Sequence, residues 1–161
     1  MKKIGLITFL IAFLSTTAFA TAHEEALPAK EPTEKDKCPV CGMYVAKYPD
    51  WVAQVAFLDG TYYFFDGVKD MMKFYYDTTK YVPKKKAVDI KAMYVKDYYK
   101  VKFINATTAF FVIGSDVHGP MGIELIPFDI EDDAKTFLKD HKGEKILLFK
   151  EITPEIIKKL Q

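Results

Sequence analysis

The chain's only two cysteines lie with a methionine in the run Cys-Pro-Val-Cys-Gly-Met at 38–43. Thiolate and thioether sulfurs are soft ligands that select Cu(I) over harder ions. If Gly42 leads the chain into an extended segment, Cys41 and Met43 are two residues apart and their side chains emerge on one face. Together with Cys38 they form a soft-metal motif. The pattern predicts that Cys41 and Met43 converge on one Cu(I) ion.

Two other interpretations of the cysteine pair stay open. In an oxidising compartment such a pair often forms a disulfide, as in thiol–disulfide oxidoreductases. These enzymes place the attacking thiolate at a helix N-terminus, whereas Gly42 and the residues after it are typical of a turn and a strand. The other interpretation is a zinc knuckle. Because a structural Zn(II) site takes four ligands, two cysteines would need histidines or a second subunit, and a homodimer is one expectation.

A second candidate cluster lies at 114–122, where three glycines and a proline predict a loop between two strands. The loop carries His118 and Met121. A methionine at the surface is harder to explain by packing than one in the core, so these residues are candidates to complete a copper site from the second half of the chain. The alternative for His118 is an exposed loop histidine without a ligand role.

The N-terminal residues predict export. Two lysines precede an apolar run at 4–14, and small residues at 18–22 offer a cleavage site. The run is shorter than the roughly 20 residues that a membrane-spanning helix needs, and no cysteine near the cleavage site would carry an acyl chain. We expect a cleaved signal peptide at 1–22, a periplasmic location and no stable membrane anchor. Cleavage near this point would also leave His23 at or near the new N-terminus, as a further copper-binding candidate.

Composition and charge exclude several classes of function. Without residues 1–22 the chain has 21 lysines against 22 acidic residues, so the formal charge changes from +1 to −1. All the basic residues are lysines, and without arginine no bidentate group is available for phosphates or base edges. Nucleic acid is therefore not expected as a partner. The chain also lacks a Ser-His-Asp pattern and a phosphate-binding glycine loop, so we expect a metal carrier that is not an enzyme.

An internal repeat predicts the fold. The pair Phe-Asp at 65–66 recurs at 128–129, and in each copy an Asp is expected to cap the helix that follows. Each copy contains two strand-like segments, a helix and a closing strand. The chain is therefore expected to be α+β, with two tandem ββαβ units at 38–98 and 99–161. Residues 23–37 contain few apolar side chains and two prolines, which predicts a disordered leader.

The expected segments follow from this repeat. The predicted strands are 51–58, 62–65 and 88–95 in the first copy and 109–113, 123–128 and 145–149 in the second, with a joining strand at 100–104 and a short terminal helix or tail at 154–160.

Several motifs in order resemble the NosL family of nitrous-oxide reductase accessory proteins. They are the cysteine motif, a Tyr-Phe-Phe-Asp block and helix at 63–74, the segment at 105–115, and a Gly-Pro-Met-Gly run at 119–122 followed by Glu-Leu-Ile-Pro-Phe at 124–128. The resemblance covers nearly all of the mature chain. It implies two linked ββαβ units and a periplasmic Cu(I) chaperone for nitrous-oxide reductase apoprotein or another exported copper enzyme.

The resemblance also implies site residues. Cys41 and Met43 are the leading Cu(I) ligands, Cys38 is a helper, and the Gly-x-Met-Gly match indicates Met121. Family members are often lipoproteins, and this sequence lacks the cysteine that would be acylated. The first motif also resembles the shorter YHS-type metal-binding modules, which would explain residues 38–76 alone.

Overall fold

The computed structural model describes residues 27–160, so the predicted signal peptide and His23 lie outside the described residues. The first unit begins with a hairpin and continues through a helix to a third strand that lies beside the first. Its elements are β1 (Ala53–Phe57), β2 (Tyr62–Phe65), α1 (Val68–Tyr76), the short α2 (Thr78–Tyr81), β3 (Ile90–Lys96) and β4 (Phe103–Asn105). All pairs are antiparallel and the strand order is β2-β1-β3-β4.

The second unit repeats this plan with a longer connection between its paired strands. Its elements are β5 (Phe110–Ile113), β6 (His118–Gly119), β7 (Gly122–Ile123), β8 (Ile126–Phe128), α3 (Glu131–Asp140), β9 (Lys145–Leu148) and the terminal α4 (Pro154–Lys159). The main strands are antiparallel in the order β8-β5-β9, and β6 and β7 form a separate hairpin.

The two sheets have the same strand order in the ββαβ pattern expected from the repeat. Phe65 pairs with the first residue of β1, Ala53, and Phe128 pairs with the first residue of β5, Phe110. The repeated Phe-Asp pair therefore occupies the same place in both copies, at the end of the second strand.

The predicted aspartate caps are wrong. The N-cap residues of α1 and α3 are Gly67 and Ile130, one position after the repeated aspartates, and neither helix has a side-chain cap bond. Asp66 is instead buried at the start of α1. Its carboxylate is thus available for another partner, whereas the equivalent Asp129 is exposed and faces Lys100.

Residues 27–37 differ from the predicted disordered leader, because the sheet supplies polar partners for their main chain. The Gln54 side chain bonds both the N–H and the carbonyl of Lys30, at 2.8 and 2.9 Å. Tyr94 and Tyr62 donate their hydroxyls to the Leu27 and Pro28 carbonyls, at 2.7 and 2.8 Å. This segment is therefore a strap across β1, β2 and β3 that leads directly into the cysteine motif.

The predicted division between the units also differs from the structure. The strand after residue 99, β4, pairs with β3 and so extends the first sheet to Asn105. At the other end of the chain, Ile157 and Leu160 join the same buried cluster as Met71 and Phe74 of α1. The two units thus share one buried cluster, and the second unit has a further cluster of its own around Phe128 and Phe137. Within the described residues, no helix combines the length and apolar character that crossing a membrane requires.

Candidate metal site

The cysteine motif forms a tight turn. The Gly42 amide donates to the Cys38 carbonyl at 2.8 Å, and the Cys38 amide donates to the Met43 carbonyl at 2.9 Å. Gly42 has a φ of +82°, in the left-handed region that favours glycine. An isolated antiparallel bridge between Lys37 and Tyr44 closes the turn from outside. The motif is therefore a knuckle in which both thiols project from one short loop.

Backbone amides of the knuckle are directed at the sulfurs. The neighbouring amides of Val40 and Cys41 act to lower the pKa of the Cys38 thiol, and the amide of Met43 acts in the same direction on the Cys41 thiol. Hydrogen bonds to the charged form of an acid stabilise that form. This arrangement is suited to holding two thiolates once a cation replaces their protons.

Two carboxylates from the start of α1 complete the cluster. The Cys38 thiol donates to Asp70 Oδ2 at 3.6 Å, and the Cys41 thiol donates to Asp66 Oδ1 at 3.1 Å. One ligand atom from each of these four residues lies within 4.8 Å of the others. Asp66 lies just before the N-cap Gly67 and Asp70 is the third residue of α1, so both carboxylates belong to the N-terminal end of this helix. We call these four residues the thiol cluster.

The electrostatics of the thiol cluster favour a bound cation. Burial, with a contribution from Asp66, raises the pKa of the Cys41 thiol to about 11, and burial raises the pKa of the Cys38 thiol still further. The Asp66 Oδ2 atom is buried and has no hydrogen-bond partner among residues 27–160, which is costly for a polar atom. A metal ion among these groups would displace the thiol protons and so offset the raised pKa values. It would also give the Asp66 Oδ2 atom a partner. The residues present therefore fit a metal ion.

Met43 contacts the cysteine turn through its main chain, whereas the sequence predicts that its side chain shares one face with that of Cys41. Because Gly42 turns the chain in a left-handed conformation, Cys41 and Met43 do not lie on a common extended segment. Met43 instead lies opposite Cys38 across the knuckle, with its side chain half-buried. That Met43 is a ligand stays a prediction.

His118 and Met121 lie on the β6–β7 hairpin, and both side chains are exposed, that of Met121 by 44%. The hairpin is fixed to the N-terminal end of α1, where Lys69 donates its ammonium to the Met121 carbonyl at 2.9 Å. The structure thus brings the turn that carries Met121 to the same helix end as the thiol cluster. The roles of His118 and Met121 as ligands stay predictions.

The sequence interpretation missed Asp66 and Asp70 as members of the site. A signal was present, because the two aspartates stand four residues apart around the start of a helix that has an apolar face. The sequence interpretation instead paired the Asp66 carboxylate with the free amides at the start of the helix, as a cap. No local pattern connects either aspartate to cysteines 25 and 32 residues away in the chain.

Comparison with known proteins places this site in a family. The NosL family model matches residues 28–157. The chain is 28% identical to the copper-binding lipoprotein NosL of Stutzerimonas stutzeri over 169 residues, which cover 98% of this chain and 85% of that protein.

A solved crystal structure shows the same relationship. The crystal structure of the copper chaperone NosL from Shewanella denitrificans aligns with a TM-score of 0.69 and 26% identity, over 80% of this chain and 97% of that chain. The solution structure of the apo-NosL protein from Achromobacter cycloclastes aligns with a TM-score of 0.47 and 27% identity, over 65% of this chain and 87% of that chain.

The family match confirms the resemblance that the motifs indicate, and the crystal structure of the Shewanella protein confirms the α+β fold class. The names of the relatives describe copper binding and a chaperone, not catalysis, in agreement with the prediction that the chain is not an enzyme. The family model matches well over half of the chain and includes both the cysteine motif and the β6–β7 hairpin. The chain belongs to the NosL family.

Proposed function

We propose that this protein is a periplasmic carrier of Cu(I), which it holds on the Cys38 and Cys41 thiolates with Met43 as a third soft ligand. The observation that supports this is the knuckle, which holds two unlinked thiols inside a cluster of ligand atoms within 4.8 Å of one another. Cu(I) is well served by two or three soft ligands. Cys41 and Met43 are only half-buried, so an acceptor protein has access to the ion.

The thiol pKa values favour a carrier over a thiol–disulfide oxidoreductase. Such an enzyme lowers the pKa of its attacking cysteine, because the thiolate is the nucleophile. Here burial raises the pKa of Cys41 to about 11. A protonated thiol exchanges slowly with disulfides. The empty site is thus protected from oxidation, and the thiols become reactive ligands when a metal ion displaces their protons.

Zn(II) is a second candidate for the same cluster. A structural zinc site takes four ligands, and carboxylate oxygens serve beside thiolates. Asp66 and Asp70 supply two oxygens from the same chain, so a zinc site no longer needs histidines or a second subunit. Two sulfurs and two oxygens suit Zn(II), whereas two sulfurs with a thioether suit Cu(I).

The client that we propose is nitrous-oxide reductase apoprotein or another exported copper enzyme. Membership of the NosL family and the copper-binding and chaperone names of its relatives support this proposal. A carrier must bind its ion tightly and still give it up, and a low-coordinate ion at a half-buried site allows an incoming ligand to join before the old ones leave. Incubation of the Cu(I)-loaded chain with the apoenzyme, followed by metal analysis of the separated proteins, tests the proposed delivery.

Titration of the reduced protein against a chromophoric Cu(I) chelator tests the carrier function. We expect one Cu(I) per chain, measured also by native mass spectrometry. The variant Met43→Leu should bind about tenfold more weakly, equivalent to about 1.4 kcal/mol, because one soft ligand is lost. Its circular dichroism should be unchanged, because leucine replaces methionine with little change of volume.

The matched control is Met93→Leu, which makes the same substitution in β3 at a buried core position. It should leave Cu(I) affinity unchanged. If Met43→Leu binds Cu(I) like the wild type and the purified protein reduces insulin disulfides, the oxidoreductase interpretation is correct and the carrier proposal is wrong.

The variant Asp66→Asn distinguishes the two ions. An amide keeps the acceptor for the Cys41 thiol but removes the negative charge that Zn(II) prefers. We expect Zn(II) affinity to fall by about 100-fold, roughly 2.7 kcal/mol, with Cu(I) affinity changing less than about threefold. Competition against a zinc indicator and against a Cu(I) chelator measures the two values. Equal losses of affinity for both ions would show that Asp66 acts on the thiols and is not itself a zinc ligand. The control is Asp50→Asn, which makes the same substitution at an exposed position.

A further inference from the structure

Lys69 of α1 is a buried lysine whose ammonium group donates hydrogen bonds to main-chain carbonyls outside its own helix. The side chain is 2% exposed. Its Nζ donates to the carbonyls of Met121, Ile123 and Leu160, at 2.9, 2.7 and 3.1 Å. An ammonium has three donors, and all three are satisfied. Lys69 therefore connects α1 to the β6–β7 turn, to β7 and to the end of α4.

Glu124 makes the reciprocal connection from the hairpin to α1. Its Oε1 atom accepts the backbone amides of Lys69 at 2.6 Å and of Leu125 at 2.9 Å. The approach is close, because a Cβ atom added at Gly67 would collide with Glu124 Oε2. Lys69 and Glu124 thus join the hairpin to the helix at two points, one from each partner.

The same end of α1 presents carboxylates to the cysteines. Asp66 immediately precedes Gly67, and Asp70 immediately follows Lys69. Asp66 and Asp70 accept the thiol hydrogen bonds of Cys41 and Cys38. The N-terminal end of α1 therefore contacts both the thiol cluster and the hairpin, and the hairpin carries the thioether of Met121, a residue that is 44% exposed.

We propose that Lys69 is a positioning residue for metal exchange, which holds the Met121 turn at the thiol-cluster end of α1 so that its thioether takes part in transfer of the ion. This inference rests on the proposed function. A buried cation is stable only when its donors are satisfied, so the three carbonyls are held in one arrangement. Arginine, with a planar group and a fixed fork of donors, would not reproduce that arrangement.

The first test measures the hairpin without metal. In Lys69→Met, hydrogen exchange of the amides at 116–124 should become at least about tenfold faster, because three carbonyls lose their donor. Amides of β1 and β3 should exchange as in the wild type. The control is Lys80→Met on α2, which removes an exposed lysine and should change neither region. Unchanged exchange at 116–124 in Lys69→Met would overturn the inference.

The second test measures transfer. The rate at which Cu(I) passes from the loaded protein to an excess of chelator should fall about tenfold in Lys69→Met and in Met121→Leu. The double variant should be no slower than either single variant, because two residues that act through one step are not additive. A purely structural role for Lys69 predicts that the two effects multiply, and that result would also overturn the inference.

A further variant covers the case in which Lys69→Met does not fold. Gly122 opens β7 directly after the turn with a φ of +83°, and a Cβ atom added there would have no heavy atom of the described residues within 4 Å, so Gly122→Val strains the backbone beside the turn while its Cβ lies in open space. Gly122→Val should slow Cu(I) transfer by about as much as Lys69→Met does. Combined with Met121→Leu, it should cause no further slowing. Transfer at the wild-type rate in Gly122→Val would overturn the inference. If the wild-type protein binds no Cu(I), the proposed function itself fails, and this is seen without any variant.

Discussion

Replacement of Cys41 by serine is expected to lower Cu(I) affinity by at least about a thousandfold, roughly 4 kcal/mol. Cys41 is the half-exposed thiol of the knuckle, and the Met43 amide is directed at its sulfur. Serine is nearly the same size but offers a hard, protonated oxygen that Cu(I) binds poorly. The measurement is chelator competition on the reduced protein, with circular dichroism to show that the fold is intact.

Two further variants complete this experiment. Cys38→Ser should also lose affinity, but it removes a buried thiol and its bond to Asp70, so its thermal stability has to be measured alongside. Cys41→Met keeps a soft sulfur at the half-exposed position and should recover part of the affinity that serine loses. Wild-type affinity in Cys41→Ser would contradict the assignment of this sulfur as a ligand.

The largest expected effect on stability comes from Glu124. This carboxyl group is fully buried, and burial raises its pKa to about 7 from an ordinary value of 4.5. Between these two pH values the folded protein keeps a proton that the unfolded chain has released. The free energy of unfolding should therefore fall as the pH rises from about 4.5 to about 7 and level off above that, by at most about 3 kcal/mol.

Urea unfolding at several pH values measures this effect. Glutamine resembles the protonated acid and keeps an oxygen for the amides of Lys69 and Leu125, so Glu124→Gln should remove most of the decline between pH 5 and pH 7. Glu34→Gln changes an exposed acid and should leave the decline as in the wild type. If Glu124→Gln and the wild type show parallel curves, the Glu124 carboxyl is not the source of the pH dependence.

The contrast between the strap and the strands shows what local composition can determine. Segment 62–65 is rich in aromatic residues, and its predicted bounds are those of β2, because aromatic and β-branched side chains favour a pleated, half-buried surface wherever they occur. Residues 27–37 have no such pattern. They are held by Gln54, Tyr62 and Tyr94, whose positions depend on the sheet, so their order could not be predicted from their own composition.

Met43 and Met121 also show what local sequence can and cannot predict. The sequence alone placed Met43 beside two cysteines and Met121 in a glycine-rich loop, and both positions follow from local spacing. It could not show that Gly42 turns the chain in a left-handed conformation, because glycine is compatible with both the extended and the left-handed form. Which form occurs is decided by the bonds between Cys38 and Met43 and by the bridge outside them.

The sequence by itself determined the soft-metal motif, the repeated ββαβ pattern and the family, because each depends on residue types at fixed short spacings. Only the tertiary structure decided that Asp66 and Asp70 face the thiols and that Lys69 fixes the hairpin to the same helix end. The physical reason is distance along the chain. Asp66 meets Cys41, 25 residues away, once the first unit has folded, whereas Lys69 meets the hairpin, 52 residues away, only when the two units have packed together, and no local pattern records either contact.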